Sequence, residues 1–230
     1  MGVNVPIFNF LLKNKKHIKS KALQLGRQGF HIDNHNYVFA KEVFESYEPV
    51  VNFDSIFSSD GYTETLFEYF GCSKVDSMDA SDYERATIIH DLNEPVPERL
   101  YGQYDVIFDG GTIEHIFDVK TVFENVKKML KVNGVFLSVN GGNNHLGHGF
   151  YQFSPDLYRA VFSKEAGFNL IQIEIVDGPF TYLPIDLTWD MNRAIRTNQE
   201  ETYICAVVEK VKEGLYNKPQ ETFYKGQWGQ

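Results

Sequence analysis

Two histidines three positions apart, His145 and His148, stand in the polar, glycine-rich stretch NGGNNHLGHG at residues 140–149, directly after an apolar run. Histidine is the side chain whose ordinary pKa lets it take a proton near neutral pH. This stretch therefore offers a general base, His148 first and His145 second. Asn143, Asn144 and Tyr151 beside them offer hydrogen bonds to a polyhydroxy molecule. A second set is Glu114-His115, followed by Asp118. His115 is a third catalytic candidate, although a lone histidine after a strand is more often structural. His31 and His35 form a third set among aromatics. Glu114, His115, Asp118, His145 and His148 together have the donor types of an oxygen/nitrogen metal site. No two show a dedicated spacing such as His-x-x-x-His on a helix, so the sequence reading is that no metal is held.

The elements that must position these groups follow from periodicity. Short apolar runs alternate with amphipathic stretches, the pattern of βαβ units on a mostly parallel sheet. Strands are expected at residues 22–25, 74–78, 87–90, 105–108, 135–139, 170–176 and 202–208, the last two antiparallel at one edge and joined by a loop with Trp189. A helix is expected over 60–70, with Tyr62, Leu66, Phe67 and Phe70 on one face and Gly71 as its stop. Another spans 119–130, with Val122, Val126 and Met129 in an apolar stripe. A third spans 155–162, behind Ser154 and Pro155. Residues 31–59 read as irregular, an inserted cap or lid. Three expected strands run into Asp79, Asp91 and Asp109. One aspartate there is as readily a turn or helix-cap residue as a ligand. Three at successive strand ends, where open α/β sheets bind ligands, point to a site.

The stretch YDVIFDGGTIEHIFDVKTVFENVKKMLKVNGVFLSV, residues 104–139, resembles the fourth strand, Glu-His segment, helix and fifth strand of class I S-adenosylmethionine-dependent methyltransferases. The resemblance extends over roughly residues 21–211. GHGFYQFSP, residues 147–155, resembles small bacterial methyltransferases encoded with surface-polysaccharide and sugar-modification genes. The resemblance implies a Rossmann-like α/β fold: a seven-stranded, mostly parallel sheet with an antiparallel edge hairpin and helices on both faces. It implies S-adenosylmethionine as cofactor, with Asp79 on the ribose hydroxyls assisted by Ser81, and Asp91 at the adenine amino group with Leu92 flanking the base. Asp109, Gly110 and Thr112 fall near the cofactor's amino and sulfonium groups. The first loop, Gly26, Arg27 and Gln28, departs from the family's acidic residue and Gly-x-Gly-x-Gly: Gln24 replaces the carboxylate, and Gln28 and Phe30 stand where glycines are expected. Which groups hold the methionine end is left open by that departure. The implied activity is methyl transfer to a hydroxyl of a small polar acceptor, a sugar or nucleotide sugar of a capsular polysaccharide, with a histidine base. Two alternatives stand beside it. One is a noncatalytic binding module on the same fold. The other is a nucleotide-sugar or NAD-dependent Rossmann enzyme, for which residues 26–29 lack G-x-G-x-x-G and Asp79 comes too late.

Composition narrows the setting. The chain has 230 residues, 43% of them hydrophobic, which suits one α/β domain. The formal charge of −9 opposes binding to nucleic acid. Lys13, Lys15, Lys16, Lys19 and Lys21 form a local basic run that reads as a solvated surface segment. No stretch reaches the roughly 20 apolar residues of a membrane helix. The first residues are apolar and then basic, the reverse of a secretory signal. Cys72 and Cys205 show no metal spacing and suit a reducing compartment. A cytoplasmic protein is expected, with Phe223, Tyr224 and Trp228 near the C-terminus either forming a homo-oligomer contact or folding back.

Overall fold

Residues 106–108 and 135–139 are continuous apolar or small runs rather than alternating ones, and 22–25 breaks such a run only at Gln24, which is what strands covered on both faces require. In the computed structural model, which describes residues 2–177, 181–185, 198–214 and 218–228, they are the middle of the sheet. In chain order the elements begin with β1 (Gly2–Val3), α1 (Val5–Lys13), β2 (Ser20–Leu25), β3 (Gly29–Phe30), α2 (Tyr37–Tyr47) and α3 (Glu64–Tyr69). There follow β4 (Cys72–Asp79), β5 (Ile88–Ile89), β6 (Tyr104–Gly110), α4 (Val119–Met129) and β7 (Leu130–Gly141). The chain continues through α5 (Pro155–Val161), β8 (Phe168–Asp177), β9 (Thr181–Pro184), β10 (Thr202–Lys210) and α6 (Thr222–Trp228).

The main sheet runs β5-β4-β2-β6-β7-β10-β8-β9. Pairings from β5 through β7 are parallel, and β10, β8 and β9 are joined by antiparallel ones. The expected α/β class is met, with two corrections. The sheet has eight strands, not seven, because β9 adds to β8 with Tyr182 opposite Val176. The antiparallel pair β8 and β10 does not itself make the edge: β10 inserts between β7 and β8, and β9 is outermost. The expected loop around Trp189 lies outside the described residues. β1 and β3 form a separate two-stranded parallel sheet.

Alternate residues of the central strands supply the two cores. Leu23 and Leu25 of β2, Ile107 of β6 and Phe136 of β7 share a core with Val122, Val126 and Met129 of α4, Tyr158 of α5 and Phe162 just after it. Ala22, Val106, Phe108 and Leu137 point to the other face, toward α1, α2 and α3 through Phe8, Phe44 and Phe67. Asp118 caps α4, its carboxylate accepting from the Thr121 N–H at 3.1 Å.

Two segments are more ordered than periodicity suggests. Helix α1 starts at Asn4, whose side chain accepts from the Ile7 N–H, and carries Pro6 in its first turn. Residues 31–59, expected to be irregular, contain α2 and a 3-10 turn at Phe53–Ile56. Phe8, Phe44 and Phe53 are buried together there, with ring centroids 5.4–6.2 Å apart. The basic run leans on acids of its own chain: Lys13 meets Glu174 at 2.6 Å, Lys15 meets Glu48, and Lys21 meets Asp76 at 3.7 Å. Cys72 and Cys205 are buried and unlinked, and burial pushes the Cys72 thiol up to about 12. Among the described residues no helix is long and apolar enough to cross a membrane.

Candidate active site

The chain passes from β2 to β4 and β5 on one side, then returns to β6 on the other, so strand order reverses at β2. Such a switch point leaves a crevice beyond the carboxyl ends of the strands. Here that crevice is a cleft of about 210 Å³ lined from four strand ends. Gly26 follows β2 with φ +68°, a conformation that favours glycine, and its N–H donates to the Met78 carbonyl at 2.7 Å. Met78, Asp79 and Ala80 come from the end of β4, His90 to Asn93 from just after β5, and Thr112, His115 and Ile116 from the turn after β6.

Asp79 is half-buried, and the Ser81 N–H approaches its carboxylate at 3.4 Å. Asp91 is exposed; bonds from the Asn93 backbone and side chain hold its carboxyl below the usual range. Leu92 is buried behind it. Of the ten residues expected around the cofactor, Gly26, Asp79, Asp91, Leu92 and Thr112 line this cleft.

The other five do not line it. Arg27 is occupied: its guanidinium lies 3.8 Å from the Tyr62 ring and donates to Glu64 at 2.7 Å, Asp60 at 2.6 Å and the Glu84 carbonyl at 3.1 Å. Gln28 is buried and folds inward, its amide donating to the Leu25 carbonyl at 2.5 Å and the Thr112 hydroxyl at 3.1 Å. Gly110 accommodates it, since a Cβ there would come within 2.7 Å of Gln28 Oε1. Gln24, at the position of the missing carboxylate, donates to the Thr63 hydroxyl at 2.9 Å. Phe30 points into the opposite core. Ser81 is exposed.

Asp109 is fully buried beneath the turn. One oxygen accepts from the Thr112 and Ile113 N–H groups at 2.9 and 3.3 Å; the other accepts from the Ser138 hydroxyl and Asn140 amide at 2.9 and 2.5 Å. Tyr158 completes this network. Burial pushes the Asp109 carboxyl up to about 6 against these bonds. Its observed work is to organise the turn that carries Thr112.

The histidine sets separate. Glu114 and His115 lie in a 3-10 turn, Ile113–His115, and the loop after β7 brings His148 against them. His148 Nε2 is 3.5 Å from Glu114 Oε1, and the His115 and His148 rings are 4.7 Å apart. Glu114 is only 2% exposed, and burial, with the Asp109 charge adding to it, pushes its carboxyl up to about 8. Partial burial holds His115 below its ordinary value, with the His148 charge in the same direction. His145 is buried against Tyr203, with ring centroids 5.0 Å apart. Asn144 donates to the Asn198 side chain and the Glu200 carbonyl, and Tyr151 to the Phe117 carbonyl. Asn143 is exposed, and its carbonyl accepts from the Thr202 N–H. Phe117 and Phe150, both exposed, meet edge to face at 6.0 Å beside His115 and His148.

Met78, Ala80, His90, Asn93 and Ile116 line the cleft without having been singled out from the sequence. All neighbour acidic strand ends or the Glu-His segment, the one signal that points to them.

No family model matches the chain, and no curated protein matches it. Solved structures do. The 1,6-didemethyltoxoflavin-N1-methyltransferase of Burkholderia thailandensis, solved with 1,6-didemethyltoxoflavin and S-adenosylhomocysteine bound, is 11% identical over 90% of this chain and 78% of that one, with a TM-score of 0.53. An S-adenosylmethionine-dependent methyltransferase from Mesorhizobium loti is 12% identical over 90% of this chain and 98% of that one, also at 0.53. The switch-point cleft and these neighbours together identify the fold of this chain as that of the class I S-adenosylmethionine-dependent methyltransferases.

Proposed function

We propose that this chain transfers a methyl group from S-adenosylmethionine to a hydroxyl of a small polar acceptor, a sugar or nucleotide sugar of a surface polysaccharide, in the cytoplasm. The observation that carries the reading is the strand-end cleft itself, with Asp79, Asp91 and Leu92 on its wall and His115 at its rim. Two carboxylates and a buried leucine fit a nucleoside. Asp79 accepts from the ribose hydroxyls, Asp91 from the adenine amino group, and Leu92 flanks the base. Bound there, S-adenosylmethionine supplies an activated methyl carbon with a good leaving group. The protein's share is alignment and exclusion of water. Phe117 and Phe150 flank the rim on the acceptor side, and His148 takes the hydroxyl proton as attack proceeds. Both neighbours described above are methyltransferases by name, one of them acting at nitrogen, so the choice of a hydroxyl rests on the histidines and the polar loop.

A second reading is favoured by one specific observation. The Gln28 amide holds the Leu25 carbonyl, and its side chain fills space beside the cleft that glycines would leave open. A chain so filled could keep the nucleoside end and forgo transfer, as a noncatalytic binding module. Calorimetric titration with S-adenosylmethionine and S-adenosylhomocysteine separates the two. Micromolar binding that Asp79→Ala weakens by at least about tenfold, about 1.4 kcal/mol, together with methyl transfer to nucleotide sugars, is the expected result. Binding without transfer to any acceptor supports the module. Absence of binding by the folded chain overturns both.

A further inference from the structure

Glu114, His115 and His148 each offer a donor atom, and the three atoms lie within 4.8 Å of one another. We infer that these side chains form a binding site for a divalent first-row transition cation of the zinc class at the rim of the cleft. The sequence alone speaks against a metal, because no two of the candidate ligands show a dedicated spacing. Tertiary structure supplies the proximity.

The site is built rather than incidental. After His148 the chain turns back onto the Glu114 segment, where the Glu114 carbonyl accepts from the Phe150 N–H at 2.7 Å and the Tyr151 N–H at 3.2 Å. Gly149 permits the approach: it has φ +69°, and a Cβ there would fall 2.8 Å from the Glu114 carbonyl oxygen. The glutamate of the set is buried and both imidazoles are exposed, and His115 also lines the cleft.

An independent observation concerns the glutamate. Its side chain is 2% exposed, and Oε2 has no hydrogen-bond partner among the described residues. A buried carboxylate left half-satisfied is costly, and a cation is the partner that offsets that cost most directly. Donor chemistry selects the ion. Two imidazole nitrogens with one carboxylate suit zinc and its first-row neighbours, whereas magnesium and calcium prefer all-oxygen shells. Zinc–nitrogen bonds of about 2.0–2.1 Å put tetrahedral donors about 3.4 Å apart, so binding draws the exposed His148 ring slightly inward. Three protein ligands leave a position for an exogenous oxygen, as in catalytic zinc sites.

The cation site stands on this geometry; its role rests on the methyl-transfer reading above. There the cation would bind and acidify the acceptor hydroxyl so that its proton passes to solvent, and His148, the base when no cation is bound, would serve as a ligand instead.

The test is cobalt titration of the full chain after chelator treatment, read by visible absorption and displaced by zinc, with S-adenosylhomocysteine titrated separately. One cobalt ion per chain is expected, with tetrahedral-type absorption. Glu114→Gln and His148→Ala should each weaken it at least about tenfold while circular dichroism stays that of the wild type. His35→Ala, at an exposed position away from the cleft, should leave it unchanged. No saturable cobalt binding by the folded chain, or binding indifferent to both Glu114→Gln and His148→Ala, overturns the site. Cobalt binding without S-adenosylhomocysteine binding would leave the cation site standing and remove the methyl-transfer reading; the converse would do the opposite.

Discussion

At the scale of single residues, Asp109 shows how a strand-end carboxylate can be essential without facing a ligand. Its four accepted hydrogen bonds hold the turn after β6, yet its burial raises its pKa to about 6 from an ordinary 3.8. The folded chain therefore holds that proton more tightly than the unfolded one. Its contribution to stability is fully present below about pH 4, is lost as pH rises toward about 6, and is flat above, a change of about 3 kcal/mol. Asp109→Asn has no such proton to lose. Urea midpoints are expected to show the variant gaining about 3 kcal/mol relative to wild type between about pH 4 and pH 7. An unchanged gap across that window would mean the burial cost is relieved in solution. Asp79, half-exposed at the cleft, is the contrasting carboxylate, whose substitution is read in ligand binding.

At the scale of elements, the side of the sheet opposite α4 is assembled from α1, α2 and α3. Phe44 of α2 is fully buried, and its ring lies within 6.2 Å of Phe8, Phe53 and Tyr69. Phe44→Ala removes that shared contact and is expected to cost about 3–5 kcal/mol in chemical denaturation. A cost below about 1 kcal/mol would mean residues 31–59 detach readily, as a mobile lid does. The segment escaped recognition as helix because only Ala40 and Phe44 of α2 are fully buried, a stripe too thin to signal a period. Helix α4 was legible for the opposite reason: Val122, Val126 and Met129 keep strict helical spacing on a polar background.

At the scale of the whole molecule, the net charge of −9 and the ion pairs that engage Lys13, Lys15 and Lys21 leave little positive field for a phosphate backbone. Filter binding with duplex DNA or RNA at low ionic strength is expected to show no retention, and salt-sensitive retention would reopen a nucleic-acid acceptor. The aromatics near the C-terminus form a partly exposed cluster, with Tyr224 and Trp228 stacked at 5.8 Å. Their pairing with a second copy is a proposal for solution scattering to examine.

The sequence by itself determined the sheet's central strands, the long amphipathic helix and the acidic strand ends, because each is a local pattern of burial or turn chemistry. It also marked Gly26, Asp79, Asp91, Leu92 and Thr112, which share one cleft. Only the tertiary structure decided what the intervening residues do. Gln28 fills the space beside the cleft, Arg27 is drawn away by Asp60 and Glu64, and β9 extends the sheet by an eighth strand. It also brought His148 to Glu114, a proximity no spacing encodes, because it depends on how the loop after β7 folds back across the end of β6.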